Sequence, residues 1–172
     1  MVLRPASLDD AEKLASFARD AFDDAFGHLY KPRDLQAFFD EWRTTAVYKQ
    51  LLGRKDAAVQ LAMSDDEIAA YCVLTRGFLF DEHPEPRPEK PAFVSQLYCS
   101  SKTTGKGNGA ALMDWAIAQA GQWQCDAITL SVFSENFGAQ RFYQRYGFRH
   151  LADIDFWVGD HRDDEFLYSL TL

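Results

Sequence analysis

Polar and apolar positions change rhythm several times along the chain, and each rhythm predicts an element. Val2-Leu3-Arg4 reads as a short strand that Pro5 ends. Ser7, with Asp10 three positions later, is a capping-type start. Leu14, Phe17, Ala18, Ala21, Phe22 and Ala25 then recur at helical spacing, which predicts an amphipathic helix over 8–26. Pro32 and Asp34 open a second helix with Leu35, Phe38, Phe39 and Trp42 on one side. Two strand-like runs, Ala57–Met63 and Ile68–Leu74, flank the polar turn Ser64-Asp65-Asp66-Glu67 and predict a hairpin. Residues 81–91 carry four prolines (Pro84, Pro86, Pro88 and Pro91) among charges, the composition of an extended surface loop.

The hydrophobic pattern resumes at once. Phe93–Cys99 is the next strand, followed by a glycine-rich turn and a helix whose apolar side is Leu112, Met113, Ala116, Ile117 and Ala120. Ala127–Phe133 reads as a central strand. Phe137–Tyr146 is a helix with Ala139, Phe142, Tyr143 and Tyr146 at helical spacing, stopped by Gly147. Two final strands are expected near 148–158 and 165–171, separated by the polar segment 159–164. No internal repeat is visible. This order predicts one α/β domain over 1–172, with a single mixed sheet and helices on its faces.

Composition narrows the function classes. The chain has 172 residues, 47% hydrophobic and 26% charged, enough to bury a core in one domain. No run approaches the ~18 apolar residues of a membrane span. The N-terminus enters an acidic amphipathic segment directly rather than a secretory leader, so the cytoplasm is the expected location. Cys72, Cys99 and Cys125 are scattered and odd in number, as for thiols in a reducing compartment. The four histidines show no ligand spacing among themselves or with the cysteines, and no metal site is expected. A net charge of −8 argues against a nucleic-acid partner. It suits a cationic substrate, although acidity also serves solubility alone.

The turn Thr104-Gly105-Lys106-Gly107-Asn108-Gly109 stands out from this acidic background. Glycine lets the backbone approach a ligand closely. The free N–H groups at the start of the following helix can meet an anion with the helix dipole behind them. Lys102 and Lys106 bring positive charge beside it. A P-loop would require Gly-Lys-Ser/Thr at its end, where Gly109-Ala110-Ala111 stands instead. A dinucleotide fingerprint would require GxGxxG early in a βαβ unit, whereas the spacing here is GxGxG. A tight turn that binds nothing is the remaining reading of this motif taken alone.

The motif has a second half. Gln96-Leu97-Tyr98-Cys99 precedes it, and after it Leu130-Ser131-Val132 leads to Asn136, Ala139, Phe142-Tyr143 and Gly147-Phe148. Together these residues, over 93–150, resemble the GNAT family of N-acetyltransferases. The resemblance implies the GNAT fold, a mostly antiparallel central sheet flanked by helices on both faces, and acetyl-CoA as the acetyl donor. It implies that backbone groups of Leu97, Tyr98 and Cys99 hold the pantetheine arm. It also implies that Thr104, Gly105, Lys106, Gly107, Asn108, Gly109 and Ala110 hold the pyrophosphate, and that Asn136 serves the pantetheine region. Tyr143 becomes the general acid that protonates the departing thiolate. Phe142 and Tyr146 share its helix, but only Tyr143 occupies the motif position. One departure is Thr104, where the family usually has Arg or Gln.

Direct transfer also needs a base to deliver the amine neutral. Ser95 and Gln96 stand where many relatives carry a glutamate. The alternatives are a water chain to an acidic residue, or Glu82, His83 or Asp160 from neighbouring loops. For the acceptor site, Phe26, His28, Tyr30 and Gln96 are the candidate residues. The stretch from Ala21 to Leu35, and the ending Phe156-Trp157-Val158-Gly159-Asp160 with a later Asp164, resemble PaiA-type polyamine acetyltransferases. That resemblance implies a small cationic amine, with Asp23, Asp24 and Asp160 recruiting its ammonium groups. A protein N-terminal or lysine acetyltransferase, using a groove beside the 81–91 loop, and a non-catalytic acetyl-CoA-binding module remain open. Aromatic content suits a homodimer.

Overall fold

The computed structural model describes residues 1–172. Its strands are β1 (Val2–Pro5), β2 (Ala57–Ser64), β3 (Glu67–Arg76), β4 (Pro91–Cys99), β5 (Ala127–Phe133), β6 (Arg149–Val158) and β7 (His161–Thr171). The helices are α1 (Ala11–Phe26), α2 (Pro32–Trp42), α3 (Thr45–Leu52), α4 (Asn108–Gln122) and α5 (Phe137–Arg145). All seven strands form one sheet in the order β1-β2-β3-β4-β5-β7-β6. Every neighbouring pair is antiparallel except β4 and β5.

Both faces of the sheet are covered, which is why its central strands read as apolar on both sides. From β3, Cys72 and Leu74 turn toward α4 and pack with Leu112, Met113 and Ala116. Tyr71 and Val73 turn the other way, to Leu14 and Ala18 of α1 and Tyr48 of α3. No helix is long and apolar enough to cross a membrane.

Three departures from the sequence expectation matter. The expected helix over 8–26 begins with a separate 3₁₀ turn, Leu8–Asp10, where the Asp10 carboxylate accepts from Ser7 N and from Arg4. Helix α3 was not anticipated. Thr44 caps it by accepting from Val47 N at 3.2 Å, and it buries Tyr48 completely. Finally, β7 starts at His161 rather than at 165, because the chain reverses over Gly159 and Asp160 alone. Gly159 has φ +56, and its backbone lies against Asp34 of α2 so closely that a Cβ would meet Asp34 Cα at 2.6 Å.

A split in the sheet positions the site. The β4–β5 ladder covers only Pro91↔Ala127, Ala92↔Ile128 and Phe93↔Thr129. Beyond it, β4 stays with β3 to Cys99 and β5 stays with β7 to Phe133. The β3–β4 register shifts where Val73 faces Gln96 and Leu74 faces Val94, which makes Ser95 the extra residue of a bulge. A bulge bends its strand, and here it coincides with the point where β4 leaves β5. The two strands therefore diverge as a wedge with unpaired backbone edges on its inner sides.

Candidate active site

A cavity of about 510 Å³ fills this wedge. Its floor comes from Val94–Cys99 on one side and Leu130–Phe133 on the other, so it opens through the sheet toward both helical layers. Thr104 and Gly109 border one end. Gly105 and Gly107 have φ +80 and +83, and a Cβ at either would meet no atom within 4 Å. The first intrahelical bond of α4 runs from Ala111 N to Gly107 O, which leaves the amides of Asn108, Gly109 and Ala110 without intrahelical acceptors. This is an open anion cradle at the positive end of a 15-residue helix. Thr104 does not reach into it; its hydroxyl donates to Ser100 O at 3.1 Å.

On the α5 side Phe142 and Tyr143 both line the cavity, and Tyr146 does not. Tyr146 is a clasp between helices, its hydroxyl 3.0 Å from Ala110 O and 2.9 Å from Asp114 Oδ1. Tyr143 is buried between Phe142 and Phe148 and lines the cavity. Burial pushes its hydroxyl well above the ordinary tyrosine range, and Cys72, Tyr98, Cys99 and Glu165 add to this. It is therefore a protonated donor at neutral pH. Asn136 also borders the cavity, and its Oδ1 accepts from Ala139 N at 3.1 Å as the cap of α5. Its Nδ2 is not used by that cap.

At the other end, on the α1–α2 side, the cavity is aromatic and acidic. Phe22 stacks on Tyr30 and meets Phe26 at a tilt, with Phe26 edge-on to Phe133. Asp163 and Glu165 enter from β7. Asp163 is 5% exposed; it accepts from the Tyr30 hydroxyl and lies 3.2 Å from His161 Nε2. Glu165 Oε2 is buried and has no hydrogen-bond partner. Burial raises the Glu165 carboxyl to about 7; the Ser131 hydroxyl opposes this and the neighbouring Asp163 adds to it. Gln96 is held by two hydroxyls, since Tyr48 and Tyr71 each donate to its Oε1 at 2.7 Å. Arg43, at the end of α2, lies over the Phe38 ring at 4.9 Å and also borders the cavity.

Many of the residues singled out in the sequence meet here. Leu97, Tyr98, Cys99, Thr104, Gly109, Asn136 and Tyr143 line the cavity, as do Phe26, Tyr30 and Gln96. Gly105, Lys106, Gly107, Asn108 and Ala110 form the adjoining turn and the start of α4. His28 is not among the lining residues, nor are Asp23 and Asp24. Glu82 and His83 belong to the 81–91 loop. That loop is tied to Asp126 by Glu89 N and Lys90 N, at the opposite end of β4 from the cavity. A groove beside it is therefore remote from Tyr143. Asp160 sits on the β6–β7 turn, its N–H donating to Asp34 Oδ1 at 3.2 Å. The sequence pattern places Asp163 in a loop over 159–164 and Glu165 at the start of the last strand, and marks neither as a site residue. Nor does it mark Arg43.

Comparison with known proteins agrees with this geometry. The acetyltransferase (GNAT) family profile matches residues 15–148. An uncharacterized N-acetyltransferase of Mycobacterium tuberculosis is 28% identical over 160 residues, covering 93% of this chain and 96% of that protein. The spermine/spermidine N(1)-acetyltransferase of Bacillus subtilis is 30% identical over 79 residues, 45% of this chain and 52% of its own. Among solved structures, the PaiA N-acetyltransferase of Thermoplasma acidophilum, in complex with coenzyme A, superposes with a TM-score of 0.79. That match has 18% identity and covers 99% of this chain and 98% of the other. The fold, the cradle at α4 and the family match lead to one conclusion: the chain belongs to the acetyltransferase (GNAT) family and is an N-acetyltransferase that uses acetyl-CoA.

Proposed function

We propose that the cavity transfers the acetyl group directly to a primary amine of a small cationic acceptor of the polyamine class. The observation that carries this reading is the pair Asp163 and Glu165 at the end of the cavity away from the glycine turn. Carboxylates in an aromatic, partly desolvated pocket attract ammonium groups more strongly than the same charges in water. The likeness of about half the chain to a spermine/spermidine N(1)-acetyltransferase supports the same class.

Acetyl-CoA supplies an acetyl thioester. The chain's own groups fit such a molecule: amides of Asn108, Gly109 and Ala110, with Gly105, Lys106 and Gly107 beside them, suit the pyrophosphate. Thr104 contributes through its backbone, since its hydroxyl is bound to Ser100. The unpaired edge of Leu97, Tyr98 and Cys99 along the wedge suits the amides of the pantetheine arm. Asn136 adds its Nδ2 there. Tyr143 then gives its hydroxyl proton to the sulfur as the C–S bond breaks. Phe26, Tyr30 and Gln96 shape the acceptor end, a role His28 does not share because it lies off the cavity.

A panel of polyamines, amino acids and peptides, scored by released thiol and by mass of the acetylated product, tests this. Polyamines are expected to give the highest kcat/KM. A tenfold preference for uncharged or anionic acceptors removes the polyamine reading.

A further inference from the structure

Among the titratable groups that line the cavity, most are unavailable to take a proton. Tyr30, Tyr98, Tyr143 and Cys99 are all held protonated by burial. Arg43 is a permanent cation. The Asp163 carboxylate is engaged by the Tyr30 hydroxyl and lies beside His161. Glu165 Oε2 is buried without a partner, as Arg43 Nε also is, but of these two cavity-lining groups only the carboxylate can accept a proton. We propose that Glu165 is the catalytic base that takes the proton from the acceptor's ammonium group. The proposal rests on the acetyl-transfer reading above and names the group that the residues before the glycine turn do not supply.

The environment suits the role. Glu165 is flanked by Asp163 on its own strand and by Ser131 on β5, with Tyr30, Tyr98 and Tyr143 on the facing walls. Burial brings its carboxyl to about 7, and a base works best when its pKa lies near the operating pH. Two carboxyl groups whose surroundings differ this much divide the labour of attraction and proton transfer. Asp163 draws the cation in, and Glu165 accepts its proton.

One N–H proton of the ammonium passes to Glu165, leaving a neutral nitrogen lone pair. The nitrogen forms a bond to the thioester carbonyl carbon, and the C–S bond breaks. Tyr143 protonates the sulfur, and the second nitrogen proton restores its hydroxyl. Glu165 then releases its proton to solvent, so the products are the amide, CoA thiol and one proton.

The test joins two measurements. The first is ¹³C NMR titration of the protein labelled at the glutamate carboxyls, with Glu165→Gln to identify the resonance. Glu165 is expected to titrate near neutrality in the free protein; titration below about 5, in the ordinary carboxylate range, overturns the proposal whatever the acceptor. The second is the pH profile of kcat/KM for wild type, Glu165→Gln and Glu165→Asp with the best acceptor of the panel. Glu165→Gln should lose about 100-fold or more and flatten the acid limb, with acetyl-CoA affinity unchanged and partial recovery in Glu165→Asp. An acid limb that survives in Glu165→Gln overturns the proposal. Failure of the polyamine reading shows separately, as wild-type turnover confined to other acceptors, on which the same profiles are then read.

Discussion

Asp163 and Glu165 stand two residues apart on β7 and border the same cavity, yet their carboxyl groups meet different surroundings. Asp163 is held by the Tyr30 hydroxyl and by His161, whereas Glu165 Oε2 is buried with no partner. A buried carboxyl with an oxygen left unpartnered costs stability whenever it is ionised. Its retention in the wall of the cavity is the kind of local inconsistency expected at a functional site.

That cost is measurable without any substrate. The Glu165 carboxyl rises from 4.5 to about 7 on folding, so between these values the folded state binds more protons than the unfolded one. Stability therefore falls as pH rises through that window, is unpenalised below it, and carries the full cost above it. The cost is on the order of 3 kcal/mol at one pKa unit per 1.36 kcal/mol. Chemical denaturation should show Glu165→Gln gaining stability over wild type at pH 8 and little at pH 4. A gain independent of pH contradicts the shift.

Tyr143→Phe removes the hydroxyl but keeps a ring that packs between Phe142 and Phe148. Thiol release should fall about 10²–10³-fold, within the range for losing a general acid. Acetyl-CoA binding, followed by calorimetry, should hardly change. Equal loss of both would make the tyrosine a packing residue.

The two kinds of glycine separate function from folding. Gly107→Ala places a Cβ in open space at φ +83. It should cost roughly 1–2 kcal/mol of stability while raising KM for acetyl-CoA. Gly159→Ala drives a Cβ to 2.6 Å from Asp34 Cα and should cost roughly 2–4 kcal/mol through overpacking and strain. Urea denaturation of both variants checks the ranking, and the reverse order contradicts it.

Asn136→Ala deletes the acceptor for Ala139 N at the start of α5. The expected loss is about 1 kcal/mol. Because α5 carries Tyr143, kcat should fall as well. A variant as stable as wild type would show that the cap is dispensable.

Elements whose hydrophobic period matched their burial were legible in the sequence, and so was the glycine turn that opens α4. The β2–β3 hairpin alternates toward two cores, and α4 and α5 carry their apolar residues at helical spacing. Helix α3 escaped because it is eight residues long and its one fully buried side chain is Tyr48, next to the polar Thr44-Thr45 start. The start of β7 escaped for a functional reason. His161-Arg162-Asp163-Asp164-Glu165 is polar at every position, so a period-2 apolar pattern cannot reveal it. The inward positions of that strand are carboxylates because they face the cavity and not the core. The Ser95 bulge left no sequence signal either, and it is what opens the wedge.

The most direct measurement is a crystal structure of the protein with a bisubstrate analogue that links a polyamine to the sulfur of coenzyme A. The account predicts the pyrophosphate on the amides that open α4 and the sulfur at the Tyr143 hydroxyl. It also predicts an amine nitrogen about 3 Å from the Glu165 carboxyl. A polyamine arm that leaves the wedge away from Asp163 and Glu165, with the sulfur out of reach of Tyr143, contradicts it.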